Sequence, residues 1–141
     1  PALQAPLLNG ASFDLTASSA TRPVLVYFWA SWCPVCRLEQ GSVSALLRDH
    51  PVVTVAMQSG SAAEVSGYLR EHGLDWPVIN DPDGALTARW GVRATPTAQQ
   101  KQDGPCARWA SHPSSCVDAT RRQRLSSLAG HRLRGGARSR R

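Results

Sequence analysis

The chain has 141 residues, which is the length of one domain and is enough to bury a hydrophobic core without disulfide staples. Its formal net charge is +6, but that charge is unevenly distributed. Residues 1–96 carry six Arg against eight Asp and Glu, whereas residues 97–141 carry ten Lys and Arg against two Asp. The basicity therefore belongs to the end of the chain, and it does not indicate a nucleic-acid-binding body.

The first 22 residues contain two short apolar segments separated by Asn9-Gly10, a pair that is typical of a tight turn. We therefore predict a small hairpin or an extended lead-in. The sequence begins at Pro1, and no charged leader with an apolar core follows. Any export signal or membrane anchor is accordingly expected upstream of the sequence.

The apolar run Val24–Trp29 is rich in β-branched and aromatic residues, which is typical of a buried strand in a parallel sheet. Cys33 follows this strand, and Pro34 suits the first turn of a helix that carries Cys36. Unpaired N–H groups and the partial positive charge at a helix N-terminus stabilise a thiolate. We therefore predict that Cys33 is the nucleophile of a redox pair and that Cys36 is the resolving thiol.

Helices and short strands are predicted to alternate along the rest of the body. They are a helix from Cys36 to Arg48, a strand at Val52–Met57, a helix capped by Ser61, a strand at Trp76–Ile79 and a helix at Ala85–Trp90. A strand, a helix and a second buried strand in this order predict a β-α-β unit with a right-handed crossover. The pattern therefore indicates an α/β domain.

Two further features are predicted to lie beside the cysteines. The Thr95-Pro96 bond is a candidate for the cis isomer because its loop is expected to face the cysteine pair, and the exposed edge there could receive an extended peptide. Trp32, immediately before Cys33, is expected to form a flat apolar rim that docks substrate peptides. Trp29 is assigned to the core.

The segments Trp29–Arg37, Asn80–Gly84 and Gly91–Thr97, together with Glu39, resemble one protein family. It is the thioredoxin-like family, and within it the extracytoplasmic branch of TlpA, DsbE, ResA and copper-sensitivity-suppressor proteins. The resemblance covers about residues 5–97. It implies an α/β thioredoxin-like fold with a central mixed sheet flanked by helices, in a periplasmic or membrane-tethered setting.

The resemblance also implies an activity and its partners. Dithiol/disulfide exchange with protein thiols or disulfides is expected, with a membrane redox protein as electron donor or acceptor. No cofactor is expected beyond the redox-active Cys33–Cys36 disulfide. The branch favours reduction of substrates, as in cytochrome c maturation or copper-stress protection.

The resemblance assigns roles to three of the candidate site residues. Cys33 would be the nucleophile, Cys36 the resolving thiol and Pro96 the cis-proline beside them. The candidate substrate-binding residues are Trp32, Pro34, Thr95 and Pro96, and no metal ligand is predicted. Thioredoxin itself has a buried Asp where this chain has Tyr27, so Glu39, one turn beyond Cys36, is the candidate acid–base group. An ordinary solvated helix residue is the alternative for Glu39.

The resemblance ends at Thr97. The family continues with an apolar strand, a turn, another strand and a closing helix, whereas Ala98–Pro105 shows no apolar alternation. We therefore predict a thioredoxin-like domain at residues 1–97 and an atypical basic tail at 98–141, with the C-terminal strands and helix absent or atypical. The tail is predicted to be largely irregular, with a short helix at 118–129. A shifted reading frame or an unrelated fused end would explain the change.

Two other interpretations stay open. Cys33 and Cys36 could be half of a zinc site completed by Cys106, His112 and Cys116, although structural zinc pairs usually sit on turns. Cys106 and Cys116 could instead pair with each other. The basic tail lacks a recognisable nucleic-acid-reading module, so no specific nucleic-acid partner is predicted. The rival to an oxidoreductase is therefore a noncatalytic metal- or polyanion-binding module.

Overall fold

The structure is a computed structural model, and it describes residues 1–101. The elements in chain order are β1 (Gln4–Pro6), β2 (Ser12–Asp14), α1 (Leu15–Ser19), β3 (Val24–Trp29), α2 (Pro34–Asp49), β4 (Val52–Met57), α3 (Ala62–Glu71), β5 (Val78–Asp81), α4 (Ala85–Arg89) and β6 (Thr97–Lys101). The helix predicted at 118–129 lies outside the described residues. No helix among residues 1–101 is long and apolar enough to cross a bilayer.

Four strands form a mixed sheet in the order β5-β4-β3-β6. Strand β4 pairs in parallel with both β3 and β5, whereas β6 pairs antiparallel with β3. β1 and β2 form a separate antiparallel hairpin, whose turn contains Gly10 at φ 85°. The predicted hairpin and the predicted mixed sheet flanked by helices are both confirmed.

Side chains of β3 alternate between two buried clusters, as a strand with both faces covered requires. Val26 and Phe28 belong to one cluster, with residues from α1 and the segment after α4. Tyr27 and Trp29 belong to the other, with residues from α2 and α3 and with both cysteines. Burial on both faces fixes β3, and the strand in turn fixes the position of Cys33, four residues beyond its end.

Strand β6 begins at Thr97, where the sequence predicts the end of the thioredoxin-like domain, and continues to Lys101. Thr97–Lys101 pairs antiparallel with Val24–Phe28, although Ala98–Lys101 has no apolar alternation. Backbone hydrogen bonds hold this strand, and its side chains are partly or fully exposed. The predicted boundary therefore falls inside β6. The rest of the predicted tail lies beyond the described part of the chain.

Two smaller differences have local causes. Helix α1 was not predicted; it begins after Asp14, whose carboxylate accepts a hydrogen bond from the Ala17 amide at 3.1 Å. Strand β5 lies two residues later than the predicted strand at Trp76–Ile79. It ends at Asp81, a polar residue whose buried carboxylate binds the first turn of α4.

Candidate active site

The cysteine pair lies at the start of helix α2. Cys33 and Cys36 form a disulfide, with Cα atoms 5.3 Å apart. Cys33 is the N-cap, and its Sγ accepts a hydrogen bond from the Cys36 backbone amide at 3.2 Å, while Pro34 lies in the first turn. Cys33 is 4% exposed and Cys36 3%, so exposure does not distinguish the two sulfurs. The helix N-terminus does, because its N–H groups favour negative charge on Cys33 once the disulfide is reduced.

The Thr95–Pro96 loop lies directly beside Cys33. The Thr95 carbonyl oxygen is 3.6 Å from Cys33 Sγ, although 62 residues separate them in the chain. The Thr95–Pro96 peptide bond is cis, in agreement with the sequence-based expectation. Both residues are partly exposed, and the Thr97 hydroxyl donates to the Ala94 carbonyl at 2.7 Å across this turn. The structure thus brings the candidate site residues Thr95 and Pro96 next to Cys33.

Trp32, which immediately precedes Cys33, is held in place by the loop after β4. Its side chain is 58% exposed, yet its indole Nε1 donates to the Gln58 carbonyl at 2.9 Å. The neighbouring Ser31 amide donates to Ser59 Oγ at 2.9 Å, and Ser59 Oγ donates to the Met57 carbonyl at 3.0 Å. The loop after β4 therefore anchors Trp32. Sequence reasoning did not identify this role of Gln58 and Ser59, although parallel neighbouring strands place their carboxyl ends at one sheet edge.

Exposed apolar side chains lie close to the cysteines in the sequence. In the described part of the chain, the exposed large apolar side chains are Trp32, Val35 and Leu38, next to the cysteine pair, and Leu46, further along α2. Leu38 is 85% exposed, although it lies only two residues beyond Cys36. Pro34 is exposed as well. Apolar surface concentrated around a reactive pair suits contact with another protein.

Tyr27 and Glu39 form a hydrogen-bonded pair next to the same core. The Tyr27 side chain is 5% exposed, and its hydroxyl donates to Glu39 Oε2 at 3.1 Å. Burial, and then the hydrogen bond and the negative charge of Glu39, raise the pKa of Tyr27 well above its ordinary value. The residue that replaces the buried Asp of thioredoxin therefore contacts the candidate acid–base group. Sequence reasoning named both residues but did not predict this contact.

The raised pKa of Tyr27 predicts a stability difference in alkaline solution. Below the ordinary tyrosine pKa of 10.0, Tyr27 is protonated in both the folded and the unfolded chain. Above it the unfolded chain loses this proton first, so the stabilising contribution is lost as pH rises through the folded-state pKa. Between about pH 9 and about pH 11 we expect the free energy of unfolding to fall more steeply for wild type than for Tyr27→Phe. Urea titrations at several pH values measure this slope, and parallel profiles would contradict the prediction.

The zinc interpretation needs further ligands, beyond Cys33 and Cys36, from residues that the structure does not describe. Within residues 1–101, no group of three or more His, Cys, Asp or Glu side chains is placed to hold a metal ion. Cys106, His112 and Cys116 lie beyond that range.

A buried strand of a mixed sheet leads into a helix that begins with a Cys-x-x-Cys motif. A loop with a cis-proline lies next to the sulfur of the first cysteine. These features define a thioredoxin-fold protein with a redox disulfide. The family model described as Redoxin matches residues 1–111. The chain therefore belongs to the Redoxin family.

Individual proteins agree with this assignment. A thioredoxin-like protein of Haemophilus influenzae is 36% identical over 91 residues, which are 64% of this chain and 54% of that protein. The thiol:disulfide interchange protein DsbE of Xylella fastidiosa is 31% identical over 123 residues, covering 77% of this chain and 57% of that protein. The chain thus spans about half the length of these curated relatives.

A solved structure shows the same fold. The secreted disulfide oxidoreductase of Mycobacterium tuberculosis, described as homologous to DsbE of Escherichia coli, superposes with a TM-score of 0.55 at 26% identity. The match covers 73% of this chain and 84% of that one. The resemblance to the thioredoxin-like and DsbE branch is thereby confirmed, and so is the thioredoxin-like fold class.

Proposed function

We propose that this chain is a thiol-disulfide oxidoreductase that exchanges its Cys33–Cys36 dithiol/disulfide with protein thiols or disulfides. The observation that carries the proposal is the disulfide at the N-terminus of α2, where the Cys36 amide meets Cys33 Sγ at 3.2 Å. This amide stabilises the Cys33 thiolate, and the thiolate is the attacking species in disulfide exchange. The similarity to a thiol:disulfide interchange protein supports the same activity.

In the reducing direction, the Cys33 thiolate attacks one sulfur of a substrate disulfide. A Cys33–substrate bond forms, and the other substrate sulfur leaves with the electron pair. Cys36 then loses its proton and attacks Cys33 Sγ, so the Cys33–Cys36 bond forms and the second substrate sulfur leaves. Two electrons have passed from the dithiol to the substrate. Oxidation of substrates follows the same steps in reverse.

We propose Trp32, Pro34, Thr95 and Pro96 as the substrate-binding residues. The Thr95 carbonyl lies 3.6 Å from Cys33 Sγ, so an extended peptide that hydrogen-bonds the Thr95 backbone would hold its own sulfur near Cys33. The exposed indole of Trp32, fixed through Gln58, offers a flat apolar face to the same peptide. Backbone pairing and apolar contact are both tolerant of sequence, which suits a catalyst that acts on several proteins.

We place this exchange in the cell envelope, outside the cytoplasm, with reduction as the physiological direction. The secreted relative from Mycobacterium tuberculosis supports the compartment. A membrane redox protein is the proposed electron donor or acceptor, and cytochrome c maturation or copper-stress protection is the proposed setting. Protein disulfides form and persist in oxidising compartments, so substrates for this exchange occur there.

Turbidimetric insulin reduction with dithiothreitol tests the activity, and equilibration with glutathione tests its direction. We expect insulin reduction above the dithiothreitol background and a potential nearer to about −270 mV than to about −120 mV. No stimulation by the wild-type chain would overturn the proposed activity. A potential close to that of the strong periplasmic oxidants would overturn the reductive direction alone.

A further inference from the structure

We propose that Tyr27 is a positioning residue, whose buried hydroxyl holds the Glu39 carboxylate where it accepts the proton of the Cys36 thiol. This inference rests on the proposed thiol-disulfide exchange. Glu39 follows Cys36 by three residues on α2, a spacing that places the two side chains next to each other on the helix surface. Tyr27 and Cys36 belong to the same buried cluster, so a residue packed in the core around Cys36 binds the Glu39 carboxylate.

The donor of this hydrogen bond is itself fixed. Tyr27 is 5% exposed, and its ring packs edge-on against Trp76 with centroids 6.2 Å apart. A glutamate on a helix surface otherwise samples several rotamers in water, and ordering it costs conformational entropy. The 3.1 Å hydrogen bond from a rigid hydroxyl selects the rotamers in which the carboxylate points toward the sheet. Glu39 is accordingly only partly exposed.

A surface pocket connects this pair with solvent. Its volume is about 230 Å³, and its lining residues are Leu25, Tyr27, Glu39, Ser42, Val43, Leu46 and Ala98. Leu46 and Ala98 are exposed, so the pocket opens at the surface between α2 and β6. Among residues 1–101, Tyr27 and Glu39 are the only titratable residues in its lining. Water that enters the pocket can therefore take a proton from Glu39.

The remaining titratable groups around Tyr27 are few in the described part of the chain. Cys33 and Cys36 lie in the same cluster, and Tyr68 of α3 packs against it. The Tyr68 hydroxyl accepts a hydrogen bond from Gln40 Nε2 at 2.9 Å, so it has a partner other than Glu39. Neither Ala98 of β6 nor Trp76 carries a titratable group.

The proton step follows from this arrangement. In the mixed disulfide, the Cys36 thiol gives its proton to the Glu39 carboxylate, and the electron pair of the thiolate forms the bond to Cys33 Sγ. The Cys33–substrate bond breaks, and its electron pair leaves on the substrate sulfur. Glu39 then releases the proton to water in the pocket. Tyr27 keeps its own proton throughout, because burial and the adjacent carboxylate raise its pKa, so it acts only as a donor.

A chromogenic aryl disulfide such as dithiobis-nitrobenzoate separates the two chemical steps. The first equivalent of coloured thiolate reports attack by Cys33, and the second reports attack by Cys36 on the mixed disulfide. A Cys106→Ser/Cys116→Ser background leaves Cys33 and Cys36 as the only thiols of the four-cysteine chain. Stopped-flow absorbance then gives both rates as a function of pH.

Near neutral pH we expect Glu39→Gln to slow the second step about a hundredfold and Tyr27→Phe about tenfold, with the first step unchanged. The Tyr27→Phe difference is expected to shrink as the pH rises, because hydroxide in solution increasingly replaces Glu39 as the acceptor of the Cys36 proton. Because Tyr27 acts through Glu39, the double variant is expected to be no slower than Glu39→Gln alone. A residue that merely supports the fold would instead add its own factor to that of Glu39→Gln.

Tyr68→Phe is the matched control, since it removes a partly buried hydroxyl from the same cluster, and both rates should stay at wild-type values. The inference would be overturned if the second step of Tyr27→Phe had the wild-type rate at all pH values. It would also be overturned if the double variant were slower than Glu39→Gln by the full factor seen for Tyr27→Phe alone. If Tyr27→Phe does not fold, Glu39→Asp retracts the carboxylate from Tyr27 and should slow the second step; an unchanged rate would overturn the inference. Absence of both coloured phases in the wild type would instead overturn the proposed function.

Discussion

Replacing Cys33 by Ser is expected to reduce the rate of insulin reduction about a thousandfold or more, to the background of dithiothreitol alone. Cys33 Sγ is the sulfur that accepts a hydrogen bond from the Cys36 amide and lies next to the Thr95 carbonyl oxygen. A serine hydroxyl there remains protonated and cannot form a disulfide bond, so the first step fails. Serine is nearly the same size as cysteine, so we expect the variant to keep the fold, which circular dichroism can verify.

Cys36→Ser is expected to fail at a different step. In a Cys106→Ser/Cys116→Ser background, Cys33 keeps its place at the helix N-terminus and still attacks, but no thiol is left to resolve the mixed disulfide. Incubation of reduced Cys36→Ser with a disulfide peptide should therefore accumulate a covalent adduct at Cys33, which mass spectrometry detects. The double variant Cys106→Ser/Cys116→Ser is the control and should retain activity. Adduct formation by Cys33→Ser at Cys36, in place of this result, would reverse the assigned roles.

The parts of the fold that the sequence predicted are those whose side chains are buried. Strands β3 and β4 were predicted with the bounds they have, because burial on both faces requires continuous apolar runs. Strand β6 was not predicted, because its pairing with Val24–Phe28 uses backbone groups, which every residue carries. Its polar side chains at Gln99 and Gln100 therefore gave no signal of the pairing.

The candidate site was predictable to a similar extent. The positions of Cys33, Cys36 and the Thr95–Pro96 bond follow from short motifs, in which neighbouring residues fix the local geometry. The Tyr27–Glu39 hydrogen bond depends on how α2 packs on the sheet. That packing angle is set by long-range contacts, which no pattern along the chain records. The same reason explains why the anchoring of Trp32 by Gln58 was missed.

Replacing Asp81 by Ala is expected to lower the free energy of unfolding by about 3 kcal/mol. The Asp81 side chain is 3% exposed, and its carboxylate accepts hydrogen bonds from the Leu86 amide at 3.0 Å and the Thr87 amide at 2.8 Å. The Thr87 hydroxyl donates to the same carboxylate. Alanine would leave the buried Thr87 amide and hydroxyl and the partly buried Leu86 amide without this acceptor, and each unsatisfied donor costs about 1 kcal/mol. Urea unfolding monitored by tryptophan fluorescence measures the loss.

Asp83→Ala is the matched control for this prediction. Asp83 lies two residues away and is exposed, and its carboxylate accepts a hydrogen bond from the Ala85 amide at 3.1 Å. Water can replace that contact, so we expect a loss of about 1 kcal/mol or less. Because small domains are stable by only about 5–15 kcal/mol, the difference between the two variants is easily resolved.

The effect of Asp81 should also reach the cysteine pair, because α4 supports the loop that lies against Cys33. The Thr87 carbonyl accepts a hydrogen bond from the Val92 amide at 3.2 Å, and the chain continues from Val92 to Thr95. The Gln99 side chain donates to the Trp90 carbonyl at 3.2 Å, which ties the end of α4 to β6. At a temperature where both variants are folded, we expect Asp81→Ala to reduce insulin more slowly than Asp83→Ala. Equal stability and equal rates in the two variants would show that the Asp81 contacts hold neither α4 nor the Thr95–Pro96 loop.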